Sequence, residues 1–247
     1  MARADVIIPA RDEAERIAET VEAALGIPGV EEVLVVDDGS RDDTAELARG
    51  AGARVIGRVR GRGKGAALEA GLIALDAAKA TGHEPADAVL FLDADLGDAA
   101  GQAAALLGPV LAGDADMTVA AFPRPPGRPG GFGLVKGLAR AGIHAMGSSS
   151  FPAAAPLSGQ RALSRAALRV VRPMAPGYGA EVALTVRALR AGLRVAEIPT
   201  TMRHRDTGRD LAGFAHRGRQ FVDVALALAR LAFEPRRARM EQETVAR

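Results

Sequence analysis

The stretch Asp87–Asp95, DAVLFLDAD, sets an unbroken apolar run directly before two carboxylates. Ala88–Leu92 is too short for a helix and has no polar face, so Asp87–Leu92 reads as a strand buried on both sides and ended at Asp93. The pattern recurs upstream. Ala4–Pro9 (ADVIIP) is a β-branched run stopped by Pro9, and Glu32–Val36 (EVLVV) is stopped by Asp37-Asp38-Gly39-Ser40. Ala53–Ile56 is a third strand, which makes Asp87–Leu92 the fourth. Helical spacing fills the intervals. Asp12–Leu25 carries Ile17, Val21, Ala24 and Leu25 on one face, Asp43–Arg49 follows the capping residues Ser40 and Asp42, and Ala66–Lys79 follows a glycine-rich turn at Gly61–Gly65.

Apolar strands separated by single helices imply βαβ units with right-handed crossovers. The predicted class is therefore α/β: a Rossmann-like, mostly parallel sheet flanked by helices. In such sheets the turns after the strands gather along one edge, where ligands bind. That edge would carry Arg11 to Glu13, Asp37 to Ser40 and Asp93 to Asp95.

The later chain is less regular. Helices are expected over Ala100–Leu111, Leu134–Met146, Ser164–Val171 and Glu181–Ala191. An edge strand is expected at Met117–Phe122, a turn at Ser158–Ala162 and a strand at Val195–Ile198. Pro123–Gly133 is a Pro/Gly-rich loop, and Leu211–Leu231 is a long amphipathic helix followed by a charged tail from Glu234. The chain divides into one domain over 1–210 and a C-terminal helical extension over 211–247.

Composition narrows the field. With 247 residues, 48% hydrophobic and 25% charged, the chain is an ordinary globular protein with material for a large core. The absence of cysteine excludes disulfides and thiolate chemistry. Arg3 and Asp5 flank only a short apolar run, so no signal peptide is read at the N-terminus, and no apolar stretch approaches the ~20 residues of a membrane span. With no Trp and one Tyr, base-stacking platforms are not expected, and neither is a nucleic-acid partner. The net charge of +2 conceals a split. Residues 1–98 carry 11 Lys/Arg against 20 Asp/Glu, net −9, and residues 99–247 carry 21 against 10, net +11. An acidic half can hold a cation, and a basic half can attract an anion.

Three turns carry chemistry. Asp93-Ala94-Asp95 at a strand end suits a hard cation such as Mg²⁺ or Mn²⁺, which would neutralise a diphosphate leaving group. Asp37-Asp38-Gly39-Ser40 has turn chemistry, yet two adjacent carboxylates exceed what a turn needs, and one could accept from a base N–H or a ribose hydroxyl. Gly61-Arg62-Gly63-Lys64-Gly65 before a helix favours phosphate. It is neither a Walker loop nor the dinucleotide fingerprint, because the spacing and the strand it follows are wrong for both.

VIIPARDEAERI, VLVVDDGSRDDT, GRGKGAALEAGL and VLFLDADLGD, in this order and spacing, resemble the nucleotide-binding half of family-two-type glycosyltransferases with the GT-A fold. The resemblance spans residues 4–98. It implies a nucleoside-diphosphate sugar, taken as UDP-linked, and a divalent metal. By motif position Pro9, Ala10, Arg11, Glu13 and Asp38 would contact the nucleoside, Lys64, Asp93 and Ala94 the rest of the donor, and Asp95 the metal with Asp93 beside it. Further on, PLSGQRAL (Pro156–Leu163), PGYGAEVAL (Pro176–Leu184) and Arg203-His204-Arg205 resemble glucosyl-3-phosphoglycerate synthase-like enzymes. That resemblance assigns Ser158, Gly159 and Arg161, with Arg203 and Arg205, to an acceptor, Glu181 to the transferred sugar, and His204 to the metal. It also makes 1–98 the nucleotide-sugar half of the domain and 99–210 the acceptor half.

The expected activity is transfer of a hexose, glucose foremost, to a small anionic acceptor such as a phosphoglycerate, with Lys136 or Arg140 as a further cation for it. Glu181 could act as a general base in an inverting displacement. It could instead hold sugar hydroxyls in a retaining one, and Val182 stands where many inverting relatives have Asp. Rival readings are transfer to polyprenyl phosphate at a membrane surface, a nucleotidyltransferase, and a non-catalytic sugar-nucleotide-binding protein. The amphipathic helix suits core packing, a homodimer seam or an anionic membrane. The expected location is cytoplasmic, with the inner membrane face as the alternative.

Overall fold

The computed structural model describes residues 2–57, 63–79, 84–122, 133–202 and 211–235, the span 211–217 by its backbone alone. Its first half alternates as the apolar runs require: β1 (Ala4–Ala10), α1 (Ile17–Leu25), β2 (Val30–Asp37), α2 (Thr44–Gly50), β3 (Arg54–Gly57), α3 (Lys64–Lys79) and β4 (Ala88–Phe91). A 3₁₀ segment (Gly97–Ala103) leads into α4 (Ala104–Leu111), then β5 (Met117–Ala121), α5 (Leu134–Met146), β6 (Arg161–Ser164) and α6 (Arg165–Val171). A 3₁₀ turn (Gly177–Gly179), α7 (Ala180–Arg190), β7 (Val195–Pro199) and α8 (Leu211–Phe233) complete it.

The seven strands form one sheet in the order β3-β2-β1-β4-β6-β5-β7. β1 to β4 pair in parallel, β5 and β7 pair in parallel, and β6 runs against both its neighbours. Six strands therefore point one way and β6 the other. The reversal matters for the site, because the segment entering β6 lies at the edge where β4 ends; Phe91 faces Arg161 in the register.

Each face of the sheet is covered, as a parallel arrangement demands. On one side Val6, Ile8, Val35 and Leu90 pack with Ile17, Val21, Leu106 and Leu107 of α1 and α4. On the other, Ile7, Leu34, Val36 and Phe91 pack with Leu68 and Leu72 of α3 and with Leu168 and Leu184 of α6 and α7. A third apolar cluster joins Ile143 of α5, Val182 and Val186 of α7, and Val224, Leu228 and Leu231 of α8. The described part of α8 thus shares a core with the domain it follows.

Several boundaries differ from expectation. Met117–Ala121 is interior rather than an edge, because β7 pairs along its whole length from Met117↔Val195 to Ala121↔Pro199. The turn expected over Ser158–Ala162 closes by Gln160, and Arg161 and Ala162 already belong to β6. The first helix begins at Ile17, not Asp12, because Asp12 to Ala14 bond across to the turn after β2. The stretch expected as a helix from Ala100 starts as the 3₁₀ segment.

Candidate active site

The carboxyl edge of the sheet is built turn by turn. After β1 the chain leaves at Ala10 and takes a left-handed step at Asp12, φ 54°. Asp12 N–H donates to Ser40 Oγ (3.0 Å), Glu13 N–H to Thr44 Oγ1 (2.8 Å), and Arg41 N–H to Asp12 Oδ1 (2.7 Å). The turn after β2 closes on itself, with Asp37 Oδ1 accepting from Ser40 N–H (2.9 Å) and Ser40 Oγ (2.5 Å). Two polar turns are thereby stitched together by side-chain caps. Asp38 is buried between them; its N–H donates to Ala10 O (2.9 Å), and its Oδ2 accepts from Gly63 N–H (2.9 Å). Asp38 therefore ties the first two turns to the start of α3. Pro9 is half-buried, Ala10 buried and Glu13 half-buried, while Arg11 is exposed with Asp12 Oδ2 3.8 Å from its Nε.

Lys64 is the first residue of α3, and its ammonium reaches across to the end of β4. It hydrogen-bonds Asp93 and lies 3.3 Å from Glu181 Oε1 at the start of α7. Burial works against the Lys64 cation, but the carboxylates of Asp93 and Glu181 outweigh it and hold the ammonium well above the usual lysine range. The other oxygen of Asp93 accepts from Gln160 Nε2 (2.6 Å). Gln160 also accepts from Ser158 Oγ (3.2 Å), so the turn before β6 grips the turn after β4. Gly159 lies between, and a Cβ there would overlap Lys64 Nζ and stand 2.9 Å from Asp93 Oδ1.

The DAD turn is fixed from behind by Thr20 of α1. Its hydroxyl donates to Ala94 O (2.9 Å) and accepts from Gly97 N–H (2.8 Å). Ala94 is buried and Asp95 half-buried. Two carboxylates at one strand end form an oxygen donor set that fits a hard divalent cation. Both oxygens of Asp93 are engaged, one by Lys64 and the other by Gln160. Among the described residues no three His, Asp or Glu side chains are grouped to hold a metal. Arg203, His204 and Arg205, expected to supply the third ligand and acceptor cations, lie outside the described residues.

Arg161 is where the expectation and the structure diverge. An acceptor-binding arginine should open onto the edge, yet Arg161 is 1% exposed. Its Nε donates to Ser158 O (2.8 Å) and its Nη1 to Thr185 Oγ1 of α7 (2.8 Å), while Nη2 is buried without a hydrogen-bond partner among the described residues. Burial pulls its pKa down to about 10, against the upward pull of Glu181 and Glu197. Arg161 fastens the Ser158 turn to the helix that carries Glu181. Lys136 is exposed, and Arg140 is bound to Ala153 O (3.0 Å).

Two contributors escape a reading of the sequence. Gln160 stands inside PLSGQRAL, flanked by residues chosen as candidates, but only its contact with Asp93 marks it out. Thr20 lies mid-helix with no signature at all.

The residues brought together are thus Asp38, Lys64, Asp93, Asp95, Ser158, Gly159 and Glu181. The model of a family described as glycosyl transferase family 2 matches residues 5–171. The chain is 33% identical over 245 residues to glucosyl-3-phosphoglycerate synthase of Mycolicibacterium paratuberculosis, covering 90% of this chain and 71% of the relative. It also resembles two solved structures of the Mycobacterium tuberculosis enzyme of that name. One is a complex with Mn²⁺, UDP-glucose and phosphoglyceric acid, 28% identical with a TM-score of 0.74 over 95% of this chain and 81% of that one. The other holds Mn²⁺, UDP-glucose and glycerol 3-phosphate, 27% identical with a TM-score of 0.72 and the same coverage.

Proposed function

The chain belongs to glycosyl transferase family 2, and from that premise we propose that it moves a hexose, glucose foremost, from a UDP-linked donor to a small anionic acceptor of the phosphoglycerate kind. It is a metal-dependent nucleotide-sugar transferase with the GT-A fold. The carrying observation is the convergence of Lys64, Asp93 and Glu181, drawn from three separate elements, on the edge where Asp95 also stands. The relatives' complexes with Mn²⁺, UDP-glucose and phosphorylated acceptors support the assignment of donor and acceptor.

Asp38 and the Arg11–Glu13 turn receive the nucleoside. Asp95, with Asp93 beside it, would hold Mg²⁺ or Mn²⁺, whose positive charge would offset the negative charge of a diphosphate leaving group. Lys64 adds a cation on the same side; a diphosphate competes with Asp93 and Glu181 for that ammonium. Glu181, at the inner end of the ion-pair chain, meets the sugar. The turn Ser158-Gly159 borders the acceptor, and Arg161 supports it from below.

The test is purified chain with UDP-glucose, 3-phosphoglycerate or glycerol 3-phosphate, and Mn²⁺ or Mg²⁺, read by the anomeric-proton NMR signal of the product. That spectrum reports donor, acceptor and stereochemistry together. A chelator and Asp95→Ala should each abolish transfer; full activity of Asp95→Ala in chelator would end the metal assignment.

One observation favours a second acceptor. The exposed side of α8 presents Val222, Leu226 and Phe233 with Arg219 and Arg230, a composition suited to an anionic lipid surface and hence to polyprenyl phosphate. No described helix is long and apolar enough to cross a membrane. Liposome co-sedimentation lost on Arg219→Glu with Arg230→Glu would favour that reading.

A further inference from the structure

We propose that Asp223 of α8 is a positioning residue for transfer: it holds the Gly177-Tyr178-Gly179 turn, and through it Glu181, from the far side of the site. The inference rests on Glu181 acting at the transferred sugar, as set out above.

The helix that carries Glu181 starts without a cap of its own. Neither Pro176 before the 3₁₀ turn nor Gly179 before α7 makes a side-chain capping bond. The missing acceptor comes in trans. Asp223 Oδ2 accepts the Tyr178 N–H (3.1 Å), placing a carboxylate at a helix start whose free N–H groups favour negative charge.

The glycines of the motif record how close α8 comes. Gly177 has φ +60°, a left-handed backbone, and a Cβ there would overlap the Asp223 carboxylate. A Cβ on Gly179 would overlap the Ala227 side chain and stand 2.8 Å from Asp223 O. GYG is therefore a socket for one turn of α8, from Asp223 to Ala227. The same segment is also pressed by the start of α3. A Cβ on Gly65 would overlap Ala175 O and meet the Ala180 side chain at 3.2 Å. The backbone preceding Glu181 is thus clamped between the helix that carries Lys64 and the helix that carries Asp223. In that position Glu181 Oε1 lies 3.3 Å from Lys64 Nζ.

Release of the clamp should displace Glu181 while leaving the nucleotide turns after β1 and β2 intact. The experiment compares wild type, Asp223→Ala, Asp223→Asn and Glu181→Gln. The readouts are kcat, KM for UDP-glucose, Kd for UDP alone and the thermal midpoint. Loss of a cap predicts that Asp223→Ala lowers kcat by about tenfold with the UDP Kd unchanged. Asp223→Asn keeps an acceptor oxygen for Tyr178 N–H and should recover most of that loss. If Asp223→Ala lowers only the thermal midpoint and retains wild-type kcat below it, the residue is merely structural and the proposal fails. Should Asp223→Ala not fold, Asp223→Glu keeps the charge, displaces the carboxylate by one methylene and is judged by the same kcat and Kd criteria. Glu181→Gln separates the two claims. If it leaves transfer intact, the assignment of Glu181 is wrong; if it cripples transfer and the Asp223 variants do not, the inference about Asp223 is wrong.

Discussion

Lys64 is a single side chain on which the site's electrostatics converge. Its side chain is 20% exposed and its two anionic partners come from separate elements, so removing it leaves Asp93 and Glu181 facing each other without a cation. Lys64→Met should therefore cost about 1–3 kcal/mol, below the figure for a fully buried pair because solvent reaches the site. The folded pKa is raised, so this contribution is complete below the unfolded lysine value of 10.5 and is lost only as pH climbs through the higher folded value. Urea midpoints of wild type and Lys64→Met should thus differ by the same amount at pH 7 and pH 9, and converge only above about 10.5. A gap that closes between pH 7 and 9 would mean the ammonium is not held this way. Gly159 tests the same spot by volume. An added methyl would strike the Lys64 ammonium and stand 2.9 Å from Asp93 Oδ1, so Gly159→Ala should lower the thermal midpoint by no more than Lys64→Met does. It would still force Lys64 off Asp93, and transfer should fall by about 10- to 100-fold. Lys64 and Gly159 were both legible in the sequence, one in a glycine-rich turn and one in a quoted motif. Their contact was not, because 95 positions separate them and only the reversed direction of β6 joins them.

Among the elements, β1 to β4 could be read because apolar runs buried on both faces have no other soluble fate, and the turns ending them are rich in Asp and Gly. β5 reads as an edge strand because its neighbour β7 is only half-buried and begins 78 residues after β5 begins, a pairing that no local pattern announces. β6 was obscured for a different reason. Arg161 at its head reads as an acceptor cation in a turn, whereas its guanidinium is internal and bonds Ser158 O and Thr185 Oγ1. The two roles predict different outcomes for Arg161→Ala. As an internal fastener it should cost about 3 kcal/mol through lost packing and unpaired partners, roughly 6–12 °C in a chain of this size, and lower kcat as the Ser158 turn loosens. An acceptor ligand would instead raise the acceptor KM with the thermal midpoint unchanged. Arg161→Lys should not rescue stability, because an ammonium cannot reach both oxygens in the planar geometry of the guanidinium.

For the whole molecule, the charge split between an acidic first half and a basic second half invites the view that the basic half greets an anion. The described arginines of that half are mostly spent otherwise. Arg187 bonds Val171 O (2.8 Å) at the end of α6 and pairs with Glu234, and Arg190 bonds Met146 O (2.9 Å) and Leu231 O (2.7 Å) near the ends of α5 and α8. Arg165 bonds Ala86 O (2.5 Å), Arg172 pairs with Glu69 and Asp76, and Arg194 holds Gly113 O (2.6 Å) and Asp116. Cations at helix ends satisfy the last carbonyls and complement the helix dipole, so this charge is scaffolding. Under the proposed function, Arg203 and Arg205 are the cations that the resemblance assigns to the acceptor's negative charge. Arg203→Ala and Arg205→Ala should each raise the acceptor KM by about 10- to 100-fold, the weight of a lost charge-assisted hydrogen bond, with the thermal midpoint held. Arg187→Ala and Arg190→Ala should do the reverse, lowering the midpoint and leaving the acceptor KM near wild type. Steady-state kinetics with varied 3-phosphoglycerate, run beside thermal unfolding of the same four variants, separate the two kinds of arginine. An acceptor KM that rises equally in all four would return the role to the charge of the half as a whole, and it should then also weaken steeply with added salt.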